Sequence, residues 1–382
     1  MTMELPMPPP LRLVFWETTA GCNLECIHCR RLDVSKELMR NDLNTEEGRR
    51  LIDQIAAVGR PVLVLSGGEP LMRPDIFDLA AHARNAGLLV ALATNGTMID
   101  APLAERIAET GFDRVSVSLD GSNAATHDHF RGQMGSFGRS VQALEHLRTA
   151  GVATQINCTI ARHNQHQLGE ILELGKRTNA VAVHYFLLVP VGCGEQIAQS
   201  QMLSTTEVEK RLLEIYHLEQ GTSLQIKATC APHYYRIIRQ QGKIARRASA
   251  PRHADQTTSG DAAGYAQTRD HPANHPHGQL HSITKGCLAG TAVCFVSHQG
   301  QVFPCGYLPV ACGDIRHQNF GDIWRESTVF SDLRNPSKLT GKCGACEFKT
   351  ICGGCRARAF YQYGDLLAEE PYCEYPPRPQ PP

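Results

Sequence analysis

The chain has 382 residues, 38 basic and 38 acidic side chains, and an apolar share of 42%. That length suits one large domain and a smaller one, and the balanced charge excludes the basic excess of a nucleic-acid binder. No apolar run has the length of a membrane span or a signal-peptide core, and fifteen cysteines without an export signal argue for metal ligands in the cytoplasm over a disulfide scaffold.

Short apolar runs at 11–17, 62–66, 88–94, 114–119, 154–160 and 181–189 read as strands, and amphipathic runs at 45–58, 75–86, 101–110, 137–150 and 166–178 read as helices. Asn44 followed by Glu47 is a capping-box signature, and Gly87, Gly111 and Gly151 each stand where a left-handed helix cap is wanted. Six strands alternating with helices predict parallel β/α units, whose chemistry gathers at the carboxyl ends of the strands. The first strand leads to Cys22, Cys26 and Cys29. Three thiolates on one short loop suit three irons of a 4Fe–4S cube, with the fourth iron left open. Zinc is the alternative, but zinc loops usually pair CxxC with a second ligand pair, and the next cysteine is Cys158.

The second strand ends in Gly67-Gly68-Glu69-Pro70, where two glycines admit close backbone approach and the glutamate can accept from an ammonium group. The third ends in Thr94-Asn95, and the fourth in Ser118-Leu119-Asp120, whose small polar groups suit ribose hydroxyls. His127-Asp128-His129-Phe130-Arg131 follows, and Cys158 reads as a buried thiol. The Gly192-Cys193-Gly194 exit of the sixth strand is either a turn or a cover for a flat ligand. Residues 201–242 connect to the next region: a helix at 205–218, then a stretch around His233, Tyr234, Tyr235 and Arg236 that reads as strand, turn and helix start, or as a substrate wall. Residues 243–281 have few bulky apolar side chains and are expected to form a mobile polar loop. A cysteine-rich region at 282–376 then carries Cys287, Cys294, Cys305, Cys343, Cys346, Cys352, Cys355 and Cys373, with a zinc ribbon as the alternative to iron–sulfur clusters.

The CxxxCxxC loop, the Gly-Gly-Glu-Pro turn and the Ser-x-Asp-Gly…His-Asp-x-x-Arg run together resemble the radical S-adenosylmethionine (SAM) enzymes, and the late cysteines resemble their SPASM extension. The resemblance implies a partial (β/α)6 barrel over 11–200 whose cluster is ligated by Cys22, Cys26 and Cys29. It implies SAM contacts from Gly67, Gly68, Glu69, Pro70, Thr94, Asn95, Ser118, Asp120 and Arg131, with Ser118 and Arg131 on the SAM carboxylate. It further implies one auxiliary [4Fe-4S] cluster on Cys343, Cys346, Cys352 and Cys373. A second would take Cys287, Cys294, Cys305 and Cys355.

Residues 228–235, 304–310 and 352–359 are similar to the porphyrin-modifying SPASM enzymes, among them the haem b synthases of the sirohaem-based route. That resemblance implies oxidative decarboxylation of two propionates of iron-coproporphyrin III to vinyls, a tetrapyrrole partner and a low-potential electron donor. A haem d-one enzyme acting on didecarboxysirohaem shares much of the pattern. A peptide maturase is disfavoured because only ten residues precede the first strand. Arg30, Arg31, Arg236, Arg356 and Arg358 are the candidate propionate forks, and His233, Tyr234 and Tyr235 the candidates to stack on the macrocycle or to ligate its iron.

Overall fold

The computed structural model describes residues 8–31, 36–249 and 285–378. Its frame is one ten-stranded sheet in the order β10-β9-β8-β1-β2-β3-β4-β5-β6-β7. The strands are β1 (Leu13–Glu17), β2 (Val62–Ser66), β3 (Leu89–Thr94), β4 (Arg114–Ser118), β5 (Thr154–Ile160), β6 (Ala182–Leu187), β7 (Gln225–Thr229), β8 (Val293–Val296), β9 (Gln301–Phe303) and β10 (Gly313–Asp314). Between them run α1 (Thr45–Val58), α2 (Ile76–Asn85), α3 (Ala101–Thr110), α4 (Ala124–Arg131), α5 (Ser136–Thr149) and α6 (Leu168–Arg177). All pairings from β8 through β1 to β7 are parallel, as βαβ connections require, and β9 and β10 close that end antiparallel.

The alternation of each strand divides it between two environments. Val14 and Trp16, Leu63 and Leu65, Val115 and Val117 enter the main core, with Cys158 fully buried among them. Arg114, Ser116 and Ser118 take the opposite face, the lumen of the partial barrel. Helix signals behave as read. Asn44 and Glu47 form the reciprocal capping box, and Gly87, Gly111 and Gly151 have φ of 80°, 80° and 77°.

The expected six parallel strands are present, and two more extend them. β7 and the helix after it realise the strand, turn and helix start read around His233; the strand fell outside the six because its lumen face is polar, Gln225, Lys227 and Thr229. β8 comes from the cysteine-rich region and pairs with β1, Leu13 opposite Val293 and Trp16 opposite Val296. The helix after β7, Tyr234–Ser249, runs into the expected polar loop, and 250–281 lie outside the described residues.

The turn after β2 packs against the cysteine loop through backbone. Gly68 N–H donates to Thr19 O (2.9 Å) and Glu69 N–H to Gly21 O (2.8 Å). A Cβ on Gly68 would collide with the Gly21 carbonyl, a backbone atom that cannot swing away. Gly68→Ala should therefore lower stability by about 1–3 kcal/mol, as overpacking does, and loosen Cys22. A chemical-denaturation curve beside an iron assay checks it; wild-type stability in the variant would contradict the close approach.

Candidate active site

The cysteine loop sits over the carboxyl ends of β1–β5. Leu24 N–H donates to Cys22 Sγ (3.4 Å), Cys29 N–H to Cys26 O (3.1 Å), and Arg131 Nη1 to Cys26 Sγ (3.8 Å). Burial raises the Cys22 thiol to about 11. The Cys22 and Cys26 sulfurs accept N–H donors, which suits thiolates bound to iron.

Asp120 is the organising anion behind the loop. It is fully buried, receives Arg131 Nη2 at 2.6 Å and His28 Nε2 at 3.3 Å on one oxygen, and accepts Thr159 N–H at 2.7 Å on the other. Burial opposes its ionisation, but Arg131 and His28 outweigh it and hold the carboxyl far below its usual range. His28 also stacks on Phe130, centroids 3.9 Å apart. His127 Nδ1 accepts Asp120 N–H (3.0 Å); burial and then Arg131 push its pKa down to about 4, so it is neutral. Asp128 caps the start of α5, accepting from Gly135 N–H, Ser136 Oγ and Phe137 N–H. The His-Asp-x-x-Arg run thus works on α4 as scaffolding for the cysteine loop. This gives Asp120 a different part from the ribose contact expected of it, because its oxygens are already occupied. Arg131 is likewise committed to Asp120 and Cys26. Ser118 makes no hydrogen bond through its side chain among the described residues and remains open to a ligand.

Glu69 lies fully buried at the head of the Pro70–Met72 turn. Its carboxylate accepts Thr94 Oγ1 (2.8 Å), Asn95 N–H (2.8 Å) and Leu71 N–H (3.1 Å). Burial raises it to about 7 against the pull of those bonds. Asn95 Nδ2 in turn donates to Asn23 Oδ1 (2.8 Å). Gly67, Gly68, Glu69, Pro70, Thr94 and Asn95 are therefore one unit bracing the loop that carries Cys22. The Gly192 turn packs on the same loop: Gly192 has φ 59°, and Cys193 N–H and Sγ both donate to Arg31 O.

In the C-terminal region Glu370 N–H donates to Cys343 Sγ (3.3 Å), Phe348 N–H to Cys346 Sγ (3.4 Å), and Gly354 N–H to Cys352 Sγ (3.5 Å). Cys352 feels Cys373 and Cys343 as neighbouring charges, and Cys346 feels Cys343 and Cys373. These four thiols are one group. Cys355 and Cys305 belong to a second, and both feel Cys287 as a neighbouring charge. Cys294 is not with them. It lies in the main core, where Cys312 packs. Among the described residues no three His, Cys, Asp or Glu side chains close on a single-ion site; in a cube each thiolate binds its own iron, so the ligand sulfurs stand apart.

The expected propionate forks are spent elsewhere. Arg30 Nη2 and Arg31 Nη1 both reach Glu17 Oε1, at 2.5 and 2.9 Å. Burial would raise Glu17, but Arg30, Arg31 and His298 hold it low. Arg236 grips Glu209 with both terminal nitrogens, and Tyr234 donates to Glu219 Oε2 (2.6 Å). Arg356 donates to the carbonyls of Leu366 and Ala368 and to Cys343 Sγ, and Arg358 forms a fully buried two-point pair with Glu370 (3.0 and 3.1 Å). His233 is fully buried, with its pKa pushed down to about 3 by burial, and Tyr235 follows it at the start of its helix. None of these assignments was visible in sequence, because each partner lies at long range or on another element.

Two lumen cations have no carboxylate partner among the described residues. Arg114 donates to Gln155 Oε1 and Gln225 Oε1, both at 3.3 Å. Lys227 has no hydrogen-bond or ion-pair partner among the described residues and stands in register opposite His184. Burial alone lowers both, Arg114 to about 10. The signal for them was the polar alternation of β4 and β7.

A sheet with a three-thiol loop at its carboxyl edge and two further thiol groups beside it defines an iron–sulfur enzyme of the radical type, in agreement with the proteins this chain resembles. The Radical SAM superfamily matches residues 16–175, and the Iron-sulfur cluster-binding domain SPASM matches 287–347. A protein of Methanosarcina barkeri (strain Fusaro) named AdoMet-dependent heme synthase is 46% identical over 96% of this chain and 97% of its own. One of the same name from Nitratidesulfovibrio vulgaris (strain Hildenborough) is 42% identical over 97% and 94%. Streptococcus suis SuiB, crystallised with the precursor peptide SuiA, shares the fold: TM-score 0.71 at 14% identity, over 97% of this chain and 76% of that one. The chain belongs to the radical SAM superfamily, to the SPASM-bearing family that includes these two heme synthases.

The Arg358–Glu370 pair anchors the C-terminal thiol groups, since Glu370 also accepts Cys355 N–H at 2.7 Å. Glu370→Gln would leave Arg358 buried without its counter-charge and should cost about 3–5 kcal/mol. Burial raises the Glu370 carboxyl, but Arg358 and His233 bring it down to about 2 from 4.5, so its stabilisation is complete above 4.5 and lost as pH falls toward 2. Acid titrations of thermal stability should show that loss in the wild type and a smaller one in Glu370→Gln; parallel curves would contradict it.

Proposed function

We propose that this enzyme converts two propionate side chains of iron-coproporphyrin III to vinyl groups, yielding haem b. The observation that carries the reading is the near full-length 46% identity to an AdoMet-dependent heme synthase. Cys22, Cys26 and Cys29 would hold the SAM-binding cluster. Cys343, Cys346, Cys352 and Cys373 would hold one auxiliary cluster, and Cys287, Cys305 and Cys355 part of another. The hydrogen-bonded sulfurs of Cys22, Cys26, Cys343, Cys346 and Cys352 support the first two of these groups. When bound, the cluster and SAM supply one-electron cleavage of SAM and a carbon radical that takes hydrogen, with a low-potential donor furnishing the electron. No helix among the described residues is long and apolar enough to cross a membrane, and fifteen cysteines, none of them in a disulfide, suit the reducing cytoplasm.

The chain's own residues position the reaction. Gly67 and Gly68 keep the rim narrow, Asn95 fixes Asn23 at its edge, and Ser118 offers the uncommitted hydroxyl for SAM. The two lumen cations, Arg114 and Lys227, meet substrate carboxylates. A carboxylate there compensates charges that burial disfavours, so the lumen selects an anionic ligand over a neutral one. Arg114 lies at the far end of β4 from Ser118, roughly 13 Å along the strand, a span that separates an anchored propionate from a reacting one on one macrocycle. Each vinyl requires the propionate to lose one hydrogen atom, carbon dioxide and one electron. Exclusion of water from the lumen protects the intermediate carbon centre.

Anaerobic incubation with SAM, reductant and iron-coproporphyrin III should yield products lighter by one and then two formic-acid equivalents in the mass spectrum. Unchanged substrate together with turnover of didecarboxysirohaem would favour the haem d-one reading instead. Lys227→Met should raise the KM for the tetrapyrrole by about tenfold or more, the worth of a charged hydrogen bond. Formation of 5′-deoxyadenosine without substrate should stay near wild type. An unchanged KM would remove Lys227 from the substrate site.

A further inference from the structure

The second C-terminal thiol group has three members from the cysteine-rich region, Cys287, Cys305 and Cys355, and needs a fourth to complete a four-thiolate cube. Cys294 is the nearest candidate along the chain, but strand alternation excludes it. Cys294 and Val296 enter the main core. Phe295 turns to the other face of β8, where Arg30 lies 4.3 Å over its ring and where a Cβ on Gly306, next to Cys305, would sit 3.3 Å from that ring. Cys305 is thus on the face that Cys294 turns away from. Cys294 is fully buried and has Cys312 as its neighbouring thiol.

The fourth place is filled from the barrel. Cys230 directly follows β7 and packs in one small cluster with Cys355, Cys305 and Tyr307. Its φ is +54°, in the left-handed region that a non-glycine residue enters only when its surroundings impose it. Two residues on, Pro232 touches the Gly286 position, where an added Cβ would lie 2.9 Å from Pro232 Cβ and against the Cys352 backbone. Gly286 N–H donates to Ile351 O at 2.6 Å and Cys287 N–H to Cys352 O at 3.1 Å. Three segments that are far apart in sequence therefore converge: the turn after β7, the start of the cysteine-rich region, and the loop ending in Cys355. The Cys230 thiol is raised by burial and then by Cys355, Cys305 and Cys287.

We propose that Cys230 is the fourth thiolate of the auxiliary cluster held by Cys287, Cys305 and Cys355, and that Cys294 and Cys312 are core thiols that bind no iron. The inference rests on the reading of those three cysteines as cluster ligands. It ties the last parallel strand of the barrel to the cysteine-rich region by a metal bridge, three residues after Lys227 in the lumen.

The test uses the full chain, reconstituted anaerobically, as Cys230→Ala, Cys230→Ser, Cys294→Ala and Cys305→Ala. Iron, sulfide and the EPR spectrum of the dithionite-reduced protein are read beside a circular-dichroism melt. Cys294→Ala should keep wild-type iron and EPR signals. Cys230→Ala should lose about four irons, one cube, or shift one auxiliary signal, and Cys305→Ala should do the same. If Cys230→Ala misfolds in the melt, Cys230→Ser, which keeps shape and loses the thiolate, replaces it and is read by the same signals. Wild-type iron and EPR in the folded Cys230 variants, with Cys305→Ala affected, would overturn the assignment of Cys230, and an altered signal in Cys294→Ala would overturn that of Cys294. Wild-type signals in Cys305→Ala as well would fault the underlying cluster reading instead.

Discussion

β1 hydrogen-bonds along one edge to β2 and along the other to β8, parallel on both sides. That double pairing sets where the chemistry lies. The cysteine loop leaves the carboxyl end of β1, the Gly-Gly-Glu-Pro turn leaves β2, and the hairpin of β8 and β9 delivers Cys305 two residues after β9 ends. Three segments of different sequence origin are thereby fixed to adjoining strands of one sheet. Parallel strands need both faces covered, and here the helices cover one face while the other encloses the lumen.

Around this frame, buried charge is paired with care. Glu17, Asp120 and Glu370 are each nearly or wholly buried and each meets arginine. A buried pair contributes little net stability compared with apolar packing, yet breaking one is costly. These pairs therefore act mainly as registry devices. Glu17 binds Arg30 and Arg31 of the cysteine loop and accepts from His298 N–H (3.2 Å) after β8. Asp120 fixes the loop's other side, and Glu370 fixes Cys355 and Arg358. Against that pattern, the lumen cations without carboxylates stand out as places where a ligand completes the electrostatics.

Local features were readable in sequence because they depend on neighbours along the chain. The strands at 62–66 and 154–160 match β2 and β5 to the residue, and the capping box of α1 formed as Asn44 and Glu47 imply. The Cys22, Cys26 and Cys29 spacing carried its own meaning. α4 was missed because Ala124–Arg131 is a polar, motif-bearing run with a weak apolar stripe. Pairings across the fold were not readable. Arg236, Arg356 and Arg358 look like free forks until Glu209, the Leu366 and Ala368 carbonyls and Glu370 are brought beside them. The grouping of the late cysteines fell between these cases: 343 to 373 is nearly local, whereas the company of Cys305 depends on which face of β8 each residue takes.

On the proposed function, three separate groups of thiols would hold iron around a single lumen, and only one of them would leave an iron open to SAM. Mössbauer and EPR spectroscopy of the anaerobically reconstituted wild type, with metal analysis before and after SAM is added, tests it most directly. About twelve irons per chain are expected, four for each cube, with no zinc and a change in one cluster's spectrum alone on adding SAM. About four irons with zinc on the C-terminal cysteines, or a SAM response from more than one cluster, would contradict it.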